Sequence, residues 1–146
     1  MTPDKLKSLF DKQRGHRWVT KTSTAAQRAE LLTRLKAEIK ANADEICAAL
    51  NNDLLRTRRA AMVEVAPVLA DIDDAIANLD QWMAPTEYPP VPALGNAATT
   101  VRYEARGVCL LFGPWNFPFA LVFQPLVAIV AAGNTAIVKP NEMAPA

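Results

Sequence analysis

Apolar residues recur through the middle of the chain at helical spacing. Met62, Val65, Leu69, Ile72, Ile76, Leu79 and Met83 alternate steps of three and four, which draws one apolar seam along a long helix. Val63, Val68 and Trp82 lie off the strict seam and widen it. Pro67 falls inside the pattern and leaves two readings, a kink at that point or a start near Glu64. A free coiled coil competes with a packed helix, but Asp71, Asp73 and Asp74 crowd beside the seam and fit a packed helix better. Upstream, Thr2-Pro3-Asp4 predicts a helix start, with Leu6, Leu9 and Phe10 on one face and Gly15 as its end. Thr24-Ala25-Ala26-Gln27 has the form of a capping box. The helix it opens carries Leu31, Leu35 and Ile39 on one stripe with Leu32 beside it, and Arg28, Glu30, Arg34, Lys36 and Glu38 on the other side. Asn42 is a second cap, before a short helix with Ile46, Leu50 and Leu54.

The pattern changes after Ala84. Pro85, Pro89, Pro90 and Pro92 predict an extended linker. Thr99 to Glu104 alternates like a half-exposed strand. Val108-Cys109-Leu110-Leu111-Phe112 is unbroken apolar and predicts a fully buried strand that Gly113-Pro114 stops. Pro118 opens a helix that runs to Ala132, bends at Pro125 and closes at Gly133. Thr135-Ala136-Ile137-Val138 is a second buried strand, with Lys139-Pro140 at its carboxyl end. Strand, helix and strand of this kind predict a parallel βαβ unit, so the fold class is α/β behind a helical front. Ala146 falls where a second crossover helix is expected to begin.

Composition adds mainly exclusions. The 146 residues carry a net charge of +1, which gives no electrostatic reason to expect a nucleic-acid or anionic-membrane partner. The two cysteines, Cys47 and Cys109, are far apart and match neither a disulfide framework nor a metal-binding spacing; a reducing, cytoplasmic setting is the default. No continuous apolar stretch follows the charged first residues, so no secretory signal is read. From Gly107 to Val138 there is no charged residue, which raises the question of a membrane span. Gly113-Pro114, Asn116, Pro118, Gln124, Pro125 and Gly133-Asn134 break that run into short pieces, and broken backbone in lipid leaves polar groups unpaired.

Ligands of open α/β sheets bind beyond the carboxyl ends of the strands. Two segments occupy that place, Gly113-Pro114-Trp115-Asn116-Phe117-Pro118 and Lys139-Pro140-Asn141-Glu142. Asn116 offers a neutral amide donor; a turn asparagine bonded to its own backbone is the plainer alternative. Lys139 with Glu142 suits the hydroxyls of a ribose; a solvated lysine before a first-turn glutamate is the plainer alternative there. His16 and the Arg56, Arg58, Arg59 cluster read as solvated, with contact to a partner subunit as a lesser reading of the arginines. Cys47 and Cys109 read as small core residues.

Gly113 to Pro118, Gly133-Asn134 and Lys139 to Glu142, with their spacing, resemble the aldehyde dehydrogenase superfamily. Phe10 to Arg14, the Asp53 region, Gln81-Trp82-Met83 and Val101 to Glu104 resemble its class 3-like and coniferyl-aldehyde-type members. The resemblance implies an aldehyde dehydrogenase-like fold, present here as an amino-terminal fragment. Its parts are a helical region over 1–84, a linker and strand of an oligomerisation arm over 85–106, and the first part of a Rossmann-like NAD(P)-binding domain over 107–146. It implies oxidation of a small-molecule aldehyde to an acid with NAD, or NADP, as hydride acceptor, in a cytoplasmic homodimer. Asn116 matches the asparagine that donates to the oxyanion. Lys139 and Glu142 match the pair at the adenosine ribose, and Phe112, Gly113, Pro114 and Trp115 match the lining of the cofactor cleft. Asn141 stands where the family usually has serine, a minor departure. Neither cysteine stands in the family's nucleophile context, and no general base or Gly-rich pyrophosphate turn is found, so the fragment alone is expected to be inactive. Other readings are a non-catalytic helical interaction module, or a relative that acylates coenzyme A or reduces acyl phosphates.

Overall fold

The computed structural model describes residues 2–95 and 97–146. Four helices come first: α1 (Pro3–Lys21), α2 (Ala25–Ala41), α3 (Ala43–Leu54) and α4 (Arg58–Met83). Then follow β1 (Thr86–Tyr88), a short 3-10 turn (Pro92–Leu94), β2 (Thr99–Val101), β3 (Val108–Phe112), α5 (Ala120–Ala131) and β4 (Thr135–Lys139). β3 and β4 pair in parallel, Val108 opposite Thr135 and Phe112 opposite Lys139, so the βαβ unit forms as the pattern predicts.

The helix starts are built by local chemistry. Thr2, Thr24 and Thr57 each accept a backbone N–H of their own first turn, and Gln27 completes the capping box by accepting the Thr24 N–H. α1 does not stop at Gly15; it continues to Lys21. A mid-helix glycine costs only about 1 kcal/mol, and α1 lies along β3 and β4, which holds the extra turns in place. Asn42 precedes α3 without capping it: it lacks the extended backbone of an N-cap (φ −101°, ψ 14°) and instead closes α2, its side-chain N–H donating to the Glu38 carbonyl.

The core lies where α2, α4 and α5 meet. Leu32, Ile39, Val65, Val68, Ile72, Ala75, Leu79, Val127 and Ala131 are buried together there. α4 starts at Arg58 and runs through Pro67, which excludes a start at Glu64. Its buried stripe is Ala61, Val65, Val68, Ile72, Ala75 and Leu79. Met62, Leu69, Ile76 and Met83 of the predicted seam lie at its partly buried edge, while Val63 and Trp82 face outward. Ala61 and Ala75, too small to mark a seam by hydropathy, are buried with the larger residues. α2 shows the same shift of face: Leu32 is buried and Leu31 exposed. Arg28, read as part of the charged side, is buried on that face.

Arg28 is buried because it closes two helix ends. Its guanidinium donates to the carbonyls of Thr20 and Lys21 at the end of α1 and of Ala131 at the end of α5, and to the Ser23 hydroxyl. α5 then ends in a Schellman motif, with Gly133 N–H on Val130 O and Asn134 N–H on Ile129 O. Gly133 is left-handed, and an added Cβ would stand 2.4 Å from Arg28 Nη2.

The sheet half departs further from expectation. β3 is not fully buried: Leu110 and Phe112, two residues apart and so on the same face, are exposed, and among the described residues the sheet they belong to has only two strands. Cys47 is buried as predicted, but Cys109 is only half-buried. The strand predicted over 99–104 closes at Val101, and it pairs antiparallel with β1. β1 lies in the proline-rich stretch, where three residues between Pro85 and Pro89 left no alternation to detect.

Candidate active site

The two loops at the carboxyl ends of β3 and β4 are stitched together at their bases. Gly113 N–H donates to Lys139 O at 2.9 Å, which extends the parallel ladder one step past β3. The Asn141 amide donates back to Gly113 O at 3.4 Å, and its Oδ1 accepts the Met143 N–H. Gly113 is buried against α5; a Cβ there would stand 2.4 Å from Val122 Cγ2. Glycine therefore lets the loop leave the strand flush with the helix.

Beyond Gly113 the loop is surface. Trp115, Asn116 and Phe117 are exposed, and Pro114 is half-buried. Among the described residues the Asn116 side-chain amide makes no hydrogen bond, to its own turn or elsewhere, so it is available to a ligand. Its backbone is fixed instead: Asn116 O accepts from Arg56 Nη2 at 2.5 Å. The same guanidinium lies over the Phe117 ring, 4.5 Å from its centroid, a cation–π contact.

Arg56 is held in turn by Glu64. Glu64 Oε1 is 2.8 Å from Arg56 Nη1, close enough for an ion pair though not aligned as a hydrogen bond. Glu64 Oε2 accepts the N–H groups of Phe119 (3.0 Å) and Ala120 (3.1 Å) at the start of α5. The carboxylate is completely buried on the apolar face of α4. Arg56 had read as part of a solvated cluster, and that reading holds only for Arg58 and Arg59. Arg58 forms an exposed ion pair with Asp44, which raises its pKa. The sequence did carry a signal for the pair: Glu64 falls beside Ala61, Val65 and Val68 on the buried face, and a buried carboxylate needs a partner.

On the β4 side, Lys139 and Glu142 are exposed and ion-paired with each other. The hydrogen bond from Lys139 holds the Glu142 carboxyl below the usual carboxylate range, so it is ionised at neutral pH. Phe112, level with Lys139 in the register, is also exposed. The predicted residues thus gather at the carboxyl end of the strand pair, joined through Gly113, Lys139 and Asn141 rather than by direct contact of Asn116 with Lys139. A cleft of about 480 Å³ at the base of these loops is lined by Leu35, Ile39, Leu50, Phe119 and Pro140; it contains none of Asn116, Lys139 and Glu142. Among the described residues no acid, histidine and cysteine group is arranged to hold a metal ion, and no helix is long and apolar enough to cross a membrane.

The sequence profile of the aldehyde dehydrogenase family matches residues 8–146. The chain belongs to the aldehyde dehydrogenase family. A Caulobacter vibrioides protein named as a coniferyl aldehyde dehydrogenase is 35% identical over 128 residues, 84% of this chain and 26% of its own length. The dimeric NADP-preferring aldehyde dehydrogenase of Canis lupus familiaris is 33% identical over 124 residues, 84% of this chain and 27% of its own. The solved structure of Staphylococcus aureus AldH in a substrate-bound state superposes with a TM-score of 0.90 at 31% identity, covering 96% of this chain and 31% of that one. The chain thus spans between about a quarter and a third of the length of these family members. Helical front and parallel βαβ unit together are the amino-terminal part of an aldehyde dehydrogenase fold.

Proposed function

We propose that this chain supplies the oxyanion loop and part of the cofactor cleft of an enzyme that oxidises an aldehyde to a carboxylic acid with NAD(P) as hydride acceptor. The observation that carries this reading is the state of Asn116: an unengaged side-chain amide on a loop whose backbone is clamped. An oriented neutral donor aimed at an oxygen that gains charge lowers a barrier by roughly 3–4 kcal/mol, because little reorganisation is left to do as the charge develops.

The residues on the β4 side fit a dinucleotide. Glu142 offers an acceptor and Lys139 a donor to neighbouring ribose hydroxyls, at the strand ends where such ligands bind. Phe112, Gly113, Pro114 and Trp115 present ring faces and close-packed backbone at the same end. The bound cofactor would supply the hydride acceptor; these residues would orient it. The ionised Glu142 repels a 2′-phosphate, which leans the site toward NAD. One family member is nevertheless named for preferring NADP.

Cys47 packs in the helical core and Cys109 sits within β3, so neither is presented as a nucleophile. Residues 1–146 alone are therefore expected to show no turnover with NAD and an aromatic aldehyde. The domain reading follows: 1–84 as helical region, 85–106 as an arm, 107–146 as the opening of the nucleotide-binding domain. The arm's β1–β2 ribbon is almost wholly exposed, which suits pairing between subunits in a homodimer. Two unpaired cysteines suit a reducing, cytoplasmic setting.

The test is Asn116→Ala in the full-length protein. A fall in kcat of about 10²–10³-fold, with cofactor KM nearly unchanged, is the expected result. Undiminished kcat rejects the assignment.

A further inference from the structure

We propose that Arg56 and Glu64, both from the helical region, are the positioning residues that hold Asn116 in its working orientation. The proposal rests on the reading of Asn116 given above. Three fixed points define the loop between β3 and α5. Its start is held by Gly113 on Lys139 O, and its end by Phe119 and Ala120 on Glu64 Oε2. Its middle is held by Arg56 Nη2 on Asn116 O. One guanidinium and one carboxylate provide the last two. The Arg56 backbone is itself anchored, because the Asn51 amide donates to Arg56 O at 2.8 Å.

The arrangement asks for more than a helix cap. α1, α2 and α4 are capped by the threonine just before each, whereas α5 has no side-chain cap of its own. Its first amides are met from α4 by a carboxylate with no exposed surface. Burying that charge is costly unless it is paired, and the partner is the residue that also grips Asn116. Arg56 is itself largely buried, its side chain only 18% exposed. A guanidinium presents two forks, so Nη1 can face Glu64 while Nη2 faces the loop carbonyl. A lysine ammonium keeps the charge but lacks that planar, two-sided geometry.

The conservative change Arg56→Lys separates positioning from mere charge balance. It is compared with wild type in the full-length protein, each with Asn116 intact and as Asn116→Ala. The expected result is a kcat about tenfold lower for Arg56→Lys, with cofactor KM within about twofold. In the Asn116→Ala background the same change should have no further effect. Amide hydrogen exchange over residues 115–120 should speed up, a readout that needs no catalysis. Added guanidinium ion should restore part of the kcat of Arg56→Ala. Arg56→Lys with full kcat and unchanged exchange overturns the proposal, as does an equal loss in both backgrounds. Asn116→Ala with full activity instead sinks the underlying reading of the site.

Discussion

The helical region and the strand pair use the same kind of residue to different effect. Leu32, Val65, Val68 and Ile72 have no exposed surface, while Leu110 is 56% and Phe112 67% exposed. Hydropathy does not distinguish them; partners do. Each of α2, α4 and α5 finds the other two within this chain, whereas β3 and β4 find one strand neighbour each among the described residues. A helix bundle closes on itself, but a parallel sheet is finished only when further strands and both faces are covered. An apolar run in sequence therefore states a demand for burial, and the fold determines where the demand is met.

The strongest way to break this contrast is paired truncation. Ile72→Ala should cost roughly 2–5 kcal/mol, since it leaves a cavity among α2, α4 and α5. Leu110→Ala should change stability by no more than about 0.5 kcal/mol. Denaturant titration of residues 1–146 measures both, and equal losses would erase the distinction. The boundary between the regions is tested next by Gly133→Ala. The new methyl meets the buried Arg28 guanidinium at a left-handed backbone position, and a loss of about 1–3 kcal/mol is expected. A neutral result would mean that Arg28 moves aside freely.

A smaller change sharpens the contrast from the helical side. Leu55 closes α3 in the left-handed region, with φ of 54° and 85% of its surface exposed. Leu55→Gly relieves that strain without losing packing and should raise stability by about 0.5–1 kcal/mol, net of glycine's greater freedom when unfolded. A lower melting temperature would contradict it. The smallest effect is one of pH. Lys21 holds Glu104, and Lys139 holds Glu142, below the usual carboxylate value of 4.5. Both carboxylates therefore favour the folded state above that value, and the contribution is lost as pH falls through their lowered folded values. Both are fully exposed, so the drop in melting temperature on acidification should be slight, and smaller still in Glu104→Gln with Glu142→Gln. An unchanged drop in the double variant would show that other groups carry it.

What could be read in the sequence was what neighbours in the chain decide. The capping box at Thr24, the five residues of β3, the β4 start and the Gly133 stop depend on local chemistry and contiguous hydropathy, and they emerged nearly as predicted. The motif loops emerged at the strand ends for the same reason. Contacts over long separations were not legible. Periodicity gave α2 and α4 their helices and the general direction of the inward face, with Val65, Ile72 and Leu79 of the α4 seam buried. It did not give the centre of the buried stripe, because Leu31 and Leu32 are equally apolar and only Leu32 is buried. Arg28 and Arg56 looked like surface charge until distant carbonyls and Glu64 came alongside. β1 was hidden because its pairing with β2, rather than its own three residues, makes it a strand.

Arg28 has a bearing on the order in which the chain assembles. The end of α1 is anchored through it to the carbonyl of Ala131, 103 positions beyond Arg28 itself, and the elements α1 touches are β3 and β4. During synthesis the first helix therefore has no docking site until nearly all of these residues have emerged. At about 5–20 residues per second that leaves the helix waiting roughly 5–20 seconds beside the ribosome before β3 and β4 can receive it.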